Sequence, residues 1–266
     1  MDKSRKLRIL EKLDADGFVS VASLSAMLGC TEATTRRELT RLEESGLARR
    51  VHGGAVRTGT HFARKNVKES YSTHLHEKLE IARLAYELIR EGETLIIDDA
   101  SSCLHLGTMI RSGQKRNLTV ITNSILLAEH LMDAEGLELV LIGGSVAGNL
   151  GATEGGTACR QLDSLHADKA FIGVNGVDFE RGITLTGYPQ QEVKRRMMAV
   201  SRETYILADS SKFGKVFPSV LCEAQDAVIL TDRGLPRQME EEGDARGVRI
   251  RRRGKAERAG EAPSAG

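Results

Sequence analysis

Apolar residues recur at helical spacing through the first part of the chain. Leu7, Leu10 and Leu13 stand among charged residues and the run stops at Asp16-Gly17, which predicts one short amphipathic helix. Ser20 is placed to cap a second helix, in which Val21, Leu24 and Leu28 fall at i, i+3 and i+7 and Gly29 is the left-handed stop. Only Gly29-Cys30 separates it from a third helix, capped by Thr31 and ending near Ser45, with Thr35, Leu39 and Leu42 on the inward stripe. The stretch Leu47-Ala48-Arg49-Arg50-Val51-His52-Gly53-Gly54-Ala55 then alternates and closes on a Gly pair, as a short β-wing would. Three helices with a tight turn between the second and third predict a winged helix-turn-helix over residues 1–57.

Residues 58–75 are polar and lose that periodicity, the pattern of an interdomain linker; His74 and His76 lack Cys or carboxylate partners at ligand spacing and are read as solvated. From 76 to 250 helical stretches alternate with apolar runs at Thr94–Ile97, Leu118–Ile121, Leu137–Ile142, Ala170–Gly173, Tyr205–Ala208 and Ala227–Leu230, and Val248 and Ile250 suggest a last strand. Continuously apolar strands separated by helices predict an α/β domain, with a largely parallel sheet covered on both faces. Residues 251–266, basic and then rich in Ala, Gly, Pro and Ser, read as a disordered tail.

Composition adds exclusions. With 40% hydrophobic and 28% charged residues the chain is not a disordered polyelectrolyte. Cys30, Cys103, Cys159 and Cys222 form no Cys-x-x-Cys pair, which argues against a zinc site or a disulfide framework and fits free thiols in a reducing compartment. No apolar run approaches the ~18 residues of a membrane span, and the charged start Met1-Asp2-Lys3-Ser4-Arg5-Lys6 is not a signal peptide, so a soluble cytoplasmic protein without a membrane partner is expected. No cofactor or metal is implied.

The formal charge of +1 means that any affinity for nucleic acid must come from where the charges sit. From Met1 to Thr60 there are eleven Lys and Arg against eight Asp and Glu, a local cationic bias. On the third helix Ala33, Arg37 and Thr40 face away from the inward stripe, with Thr34, Arg36 and Arg41 on the flanks. A small, hydroxylic and cationic ridge suits the floor of a DNA major groove, and Arg50 and His52 on the wing can reach phosphates or the minor groove.

In the α/β domain the chemistry lies directly after the strands: Asp98-Asp99-Ala100-Ser101-Ser102, Thr122-Asn123-Ser124, Gly143-Gly144-Ser145, Asp209-Ser210-Ser211-Lys212 and Thr231-Asp232. Open α/β sheets bind ligands beyond the carboxyl ends of their strands, so these loops are expected to converge on one crevice. Ser101 and Ser102 open a helix whose free amides favour a phosphate. Asp98, Asn123 and Asp209 are candidates to accept hydrogen bonds from sugar hydroxyls, Ser124, Gly143 and Gly144 line the loops, and Lys194 or Lys212 supplies positive charge. Taken singly, each loop is as readily a helix cap or a turn.

The run Thr34-Thr35-Arg36-Arg37-Glu38-Leu39, followed by Gly46-Leu47-Ala48-Arg49-Arg50-Val51-His52-Gly53-Gly54-Ala55, resembles the DNA-binding signature of the DeoR/GlpR family of bacterial sugar-metabolism repressors. The likeness extends to about residue 232 through Asp98 to Ser102, Ile121-Thr122-Asn123-Ser124, Gly143-Gly144, Gln191-Glu192-Val193-Lys194 and Asp209-Ser210-Ser211-Lys212-Phe213-Gly214. It implies a fold related to sugar-phosphate isomerases, a phosphorylated sugar as inducer, operator DNA as partner and a homo-oligomer, dimer or tetramer. Glu38 stands where the family often has Asp, Ala100 where it usually has Gly, and Ser102 where it usually has Thr. A Cβ at position 100 is expected to crowd a phosphate or forbid positive φ. The alternative is a sugar-phosphate isomerase with an appended helical domain, using Asp98, Asp209, Glu192 and Lys194 as acid and base.

Overall fold

The computed structural model describes residues 3–16, 18–44, 47–51, 53–57, 67–147 and 151–252. Helices α1 (Lys3–Asp16), α2 (Val21–Leu28) and α3 (Glu32–Glu44) pack with an antiparallel sheet of β1 (Phe18–Ser20), β2 (Ala48–Val51) and β3 (Gly54–Arg57), in the order β1-β3-β2. The local rules hold at each junction. Ser20 Oγ accepts from Ser23 N at 3.1 Å, Gly29 sits at φ 62°, and Thr31 Oγ1 accepts from Thr34 N at 3.3 Å. Leu24, Leu39, Leu42, Ala48 and Ala55 close the core. In α1 Ile9 and Leu13 are fully buried and Leu10 packs partly buried against the same core, so Ile9, not singled out in the sequence, joins the inward face. Gly54 is required where β3 crosses β1, because a Cβ there would overlap Val19 O and the Phe18 ring.

In the larger unit α4 (Val67–Ser72) is a helix inside the stretch expected to be an interdomain linker. It is held by tertiary contacts. Tyr71 stacks on His105 with ring centroids 4.0 Å apart, and Tyr71 O lies 3.1 Å from His105 Nε2.

Seven strands form one wholly parallel sheet, numbered in chain order as β4 (Thr94–Ile97), β5 (Leu118–Thr122), β6 (Leu137–Leu141), β9 (Ala167–Gly173), β12 (Ser201–Leu207), β14 (Val228–Thr231) and β15 (Arg249–Arg252). Their spatial order is β15-β14-β12-β9-β4-β5-β6. Alternate side chains go to opposite faces. Leu95, Ile97, Phe171, Leu207 and Leu230 pack under α5 (Leu75–Leu88), α6 (Ser101–Ser112) and α7 (Ile125–Leu131). Ile96, Ile121, Ile172, Ile206 and Ile229 pack under α8 (Gly156–Leu162) and α9 (Tyr188–Ala199). Each fully buried side chain of this size contributes about 1.5–3 kcal/mol.

Two features add to the elements expected from the sequence. The hairpin β7 (Ser145–Ala147) and β8 (Ala152–Glu154) is one; a small antiparallel sheet of β10 (Gly176–Asp178), β11 (Gly182–Leu185) and β13 (Ser219–Cys222) is the other. Helix α10 (Arg237–Ala245) leads to β15, which continues through Arg252 into the stretch expected to be tail. Arg251 and Arg252 are held there by register with Leu230 and Thr231, and Arg252 pairs with Glu240 at 2.6 Å. The remainder of the tail and residues 58–66 lie outside the described residues.

From β4 the chain moves outward through β5 and β6, and from β9 it moves the other way through β12, β14 and β15. The reversal between β4 and β9 is the topological switch point, where α/β sheets open a crevice.

Candidate functional site

On α3 the outward ridge is ordered by its own hydrogen bonds. Ala33 and Arg37 are exposed, and Arg37 has no polar partner among the described residues. Arg36 pairs with Glu32 at 2.7 Å, Thr34 Oγ1 lies 3.0 Å from Thr31 Oγ1, and Thr40 Oγ1 donates to Arg36 O at 3.0 Å. The wing is tied to this ridge: Arg50 N donates to Glu43 Oε1 at 2.9 Å and its guanidinium to Thr40 Oγ1 at 3.3 Å. Thus Arg36, Thr40 and Arg50 form one continuous patch. Arg41 points instead to Glu38, 3.3 Å away. Glu38 is buried on the inward stripe, a position its place in the motif did not disclose, and its Oε2 has no partner among the described residues. His52 lies outside the described residues.

At the switch point the loop after β4 meets the end of β9 and the face of α9. Asp98 is wholly buried and its carboxylate is saturated: Oδ1 accepts from Ala100 N at 2.8 Å, and Oδ2 from Gly173 N at 2.8 Å and from the Lys194 ammonium. Lys194 also donates to Gly173 O at 3.0 Å and lies 3.6 Å from Asp99. Burial alone pushes the Lys194 ammonium down, but the Asp98 and Asp99 carboxylates outweigh it and hold its pKa above the ordinary lysine value. Burial lifts Asp98 against the pull of Lys194; the three donors on its oxygens match a carboxylate, so the pair is ionised. Cys103 beside it is kept a thiol, mainly by burial, and donates to Phe171 O at 3.4 Å.

Asp99 accepts from Gln190 Nε2 at 3.1 Å, and these two with Asn123, Thr153, Glu154 and Lys194 enclose a residual cavity of about 10 Å³. Asn123 Nδ2 donates to Thr153 O at 3.0 Å, whereas its buried Oδ1 has no partner among the described residues. Asp99, Gln190 and Thr153 were not singled out in the sequence. Gln190 stands four residues before Lys194 and so shares its helix face, a spacing that pointed to it.

Ser101 and Ser102 open α6, whose cap residue Ala100 offers no side chain to the first-turn amides. Ala100 has φ −72°, so the expected need for positive φ is absent, and its Cβ occupies the space a Cβ on Gly173 would take. The other expected residues are spread more widely. Ser124 accepts from Leu127 N at 3.1 Å as the cap of α7. Gly143 N donates to Gln161 Oε1 at 2.9 Å, and Gly144, at φ 151°, starts the hairpin where a Cβ would come within 2.7 Å of Glu154 O. Asp209 is engaged with Ser211 N at 3.1 Å in the turn that carries Lys212. Glu192 is exposed beside Cys159, whose thiol is pushed up by burial and then by that carboxylate. Of the four groups of the isomerase alternative, Asp98 and Lys194 are bonded to each other.

A winged helix with a cationic outward ridge, joined to an α/β unit with a charged crevice at its switch point, defines a DNA-binding transcriptional regulator with a sensing domain. The sequence matches the DeoR-like helix-turn-helix domain over residues 5–60 and the DeoR C terminal sensor domain over residues 73–233. The chain belongs to the DeoR family. It is 32% identical over 223 residues to the HTH-type transcriptional regulator FruR of Bacillus subtilis, itself uncharacterized, covering 84% of this chain and 88% of that one. It is 33% identical to the transcriptional repressor GlcR of the same organism, over 89% of this chain and 90% of the relative. The lactose phosphotransferase system repressor of Lactococcus lactis is 30% identical, over 91% and 96% respectively. Among solved structures, ribose 5-phosphate isomerase A of Methanocaldococcus jannaschii is similar over 51% of this chain and 53% of that chain, at 21% identity and a TM-score of 0.37. No helix among the described residues is long and apolar enough to cross a membrane.

Proposed function

We propose that the protein represses a carbohydrate catabolic operon and that a phosphorylated sugar, bound in the switch-point crevice, relieves the repression. The names of the relatives, repressors of sugar systems among them, support the first half. One observation carries the second: Lys194, Asp99 and Asn123, whose Oδ1 has no partner among the described residues, line one cavity, next along the chain to the uncapped amino end of α6. In this reading the amides and hydroxyls of Ser101 and Ser102, with Lys194, hold the phosphate. Asn123 and Asp99 bind sugar hydroxyls, while Asp98, already saturated, positions Lys194. Gly143, Gly144, Asp209 and Lys212 are assigned to the rim.

A cavity of about 10 Å³ holds one water at most, so admitting a sugar phosphate requires β8 and the first turn of α9 to part. Helix α6 links that event to the DNA-binding unit along the chain. Ser102 stands at its crevice end, and His105, one turn on, holds Tyr71 of α4. On operator DNA, α3 of paired protomers enters successive major grooves, with Ala33, Thr34, Arg37 and Thr40 towards base edges and Arg36, Arg50 and His52 towards phosphates, while Arg41 holds Glu38.

The test is operator affinity with and without a panel of sugar phosphates. A true inducer weakens binding by the coupling of ~1–3 kcal/mol typical of such switches. No response across a broad panel would sink the inducer assignment and leave the DNA-binding assignment standing.

A further inference from the structure

A second concavity opens at the opposite edge of the parallel sheet, beneath the amino ends of β12, β14 and β15, where neither the DNA-binding ridge nor the crevice reaches. Its volume is about 630 Å³, within the ~300–1,000 Å³ range of small-molecule sites. Four arginines line it: Arg195 from α9, Arg202 from β12, and Arg249 and Arg251 from β15. The register sets Arg249 opposite Val228 and Arg251 opposite Leu230 on one sheet face, while Arg202 and the α9 residue Arg195 lie towards the other, so the four line the concavity around the amino ends of the strands.

Against these four arginines the lining sets two carboxylates, Glu203 and Asp226, which leaves a cationic surplus, and Arg251 is engaged in a contact of its own. Glu203 accepts the Tyr205 hydroxyl at 2.5 Å, and Asp226 accepts from Glu223 N at 3.0 Å. Arg202 has no polar partner among the described residues, and Arg249 reaches only Gln225 O, at 3.5 Å. Arg195 is fixed by its bonds to Leu221 O at 2.9 Å and Val220 O at 2.8 Å, which leave its Nη1 without an acceptor among the described residues. The carbonyl end of α9 also faces the groove and by itself disfavours anions. Its exposed groups are satisfied in part: Ser201 Oγ donates to Met197 O at 2.7 Å, and Ala167 N to Val200 O at 2.9 Å. Met198, Leu221 and Val228 give the groove an apolar base.

We propose that this groove is a second ligand site, for a small organic molecule that carries two or more phosphate or carboxylate groups. Guanidinium forks at the rim suit bidentate contacts to such groups, and the apolar base suits the organic body between them. The site is separate from the crevice and does not rest on the assignment of the inducer.

The test is titration of the full chain, methyl-labelled at methionine, with adenosine diphosphate and with citrate. The expected result is a saturable shift of the Met198 resonance, identified by its loss in Met198→Leu, with at least one of the two ligands. In Arg202→Ala/Arg249→Ala, which removes two exposed side chains and leaves the core intact, affinity should fall about tenfold or more, the scale of a lost charged hydrogen bond. Three results overturn the proposal: no shift of Met198 with either ligand, a shift of equal affinity in the folded double variant, or a double variant that weakens binding to duplex DNA of any sequence while leaving the anion titration unchanged.

Discussion

Asp98 and Lys194, 96 residues apart in sequence, form a buried ion pair across the switch point, where the end of β4 meets the face of α9. Neither group is spare. Asp98 ties the loop after β4 to Gly173 of β9, and Lys194 turns its remaining charge towards Asp99 in the cavity. Buried pairs of this kind are poor sources of net stability but costly to break, which makes them suited to fixing one geometry.

Lys194→Met should therefore destabilise the protein by about 3–5 kcal/mol, since it strands the Asp98 carboxylate in the core. Asp98→Asn/Lys194→Met should recover much of that loss, while neither variant responds to an inducer. Urea denaturation of the two variants measures the stability, and a double variant no more stable than Lys194→Met would mean that the pair is not the dominant interaction at this position.

Arg37 projects from α3 without a partner among the described residues, whereas Arg41 covers a buried carboxylate. Arg37→Ala should cost ~1–3 kcal/mol in operator affinity, the range of a base contact, and leave the thermal midpoint unchanged. Arg41→Ala should lower the midpoint of the DNA-binding unit, because Glu38 loses its ion pair. Gel-shift titration beside calorimetry distinguishes the two, and equal effects on both readouts would overturn the division of roles.

The parallel sheet was legible because a strand buried on both faces is continuously apolar: Thr94-Leu95-Ile96-Ile97 needs no context to be read. The helix-turn-helix was legible because its caps are local, Ser20, Gly29 and Thr31 each acting within a few residues. What failed to show was held from a distance. Helix α4 has one aromatic anchor, Tyr71, and exists by stacking on His105. The β7–β8 hairpin is short and Gly-punctuated, so it reads as a loop, yet it supplies Thr153 to the cavity wall. Spacing placed Asp98 and Lys194 after different elements and contained nothing that joined them. The polar loops looked alike in sequence; only tertiary hydrogen bonds separate Ser124, a helix cap, from Asn123, whose Oδ1 is left open.

His105 supplies a pH dependence with a definite sign. Burial, against the upward pull of its hydrogen bond to Tyr71 and with a further push from the charge of Lys78, holds its pKa below the ordinary value of 6.5. The folded protein thus binds fewer protons than the unfolded chain on the acid side of that value. Stability is full above it and declines as pH falls through the depressed pKa. In urea unfolding from pH 7.5 to 5 the wild type should lose stability more steeply than His105→Gln, whatever the variant's absolute stability; parallel curves would remove His105 as a source of the decline.

The closeness of Ala100 to Gly173 yields the sharpest steric prediction. The family pattern puts Gly where Ala100 stands, yet Ala100 has an ordinary negative φ and its Cβ fills the space beside Gly173. Gly173→Ala alone forces two methyl groups into one volume at the strand whose N–H holds Asp98, and should cost about 1–3 kcal/mol. Ala100→Gly alone removes one methyl and adds backbone freedom, a loss of ~1 kcal/mol or less. The combined Ala100→Gly/Gly173→Ala exchange moves the methyl from one side of the contact to the other, so its cost should be well below the sum of the two single changes. A double-mutant cycle by urea denaturation measures this coupling directly. Strict additivity would show that the two residues do not share that space, and that the order of the loop at the crevice has another origin.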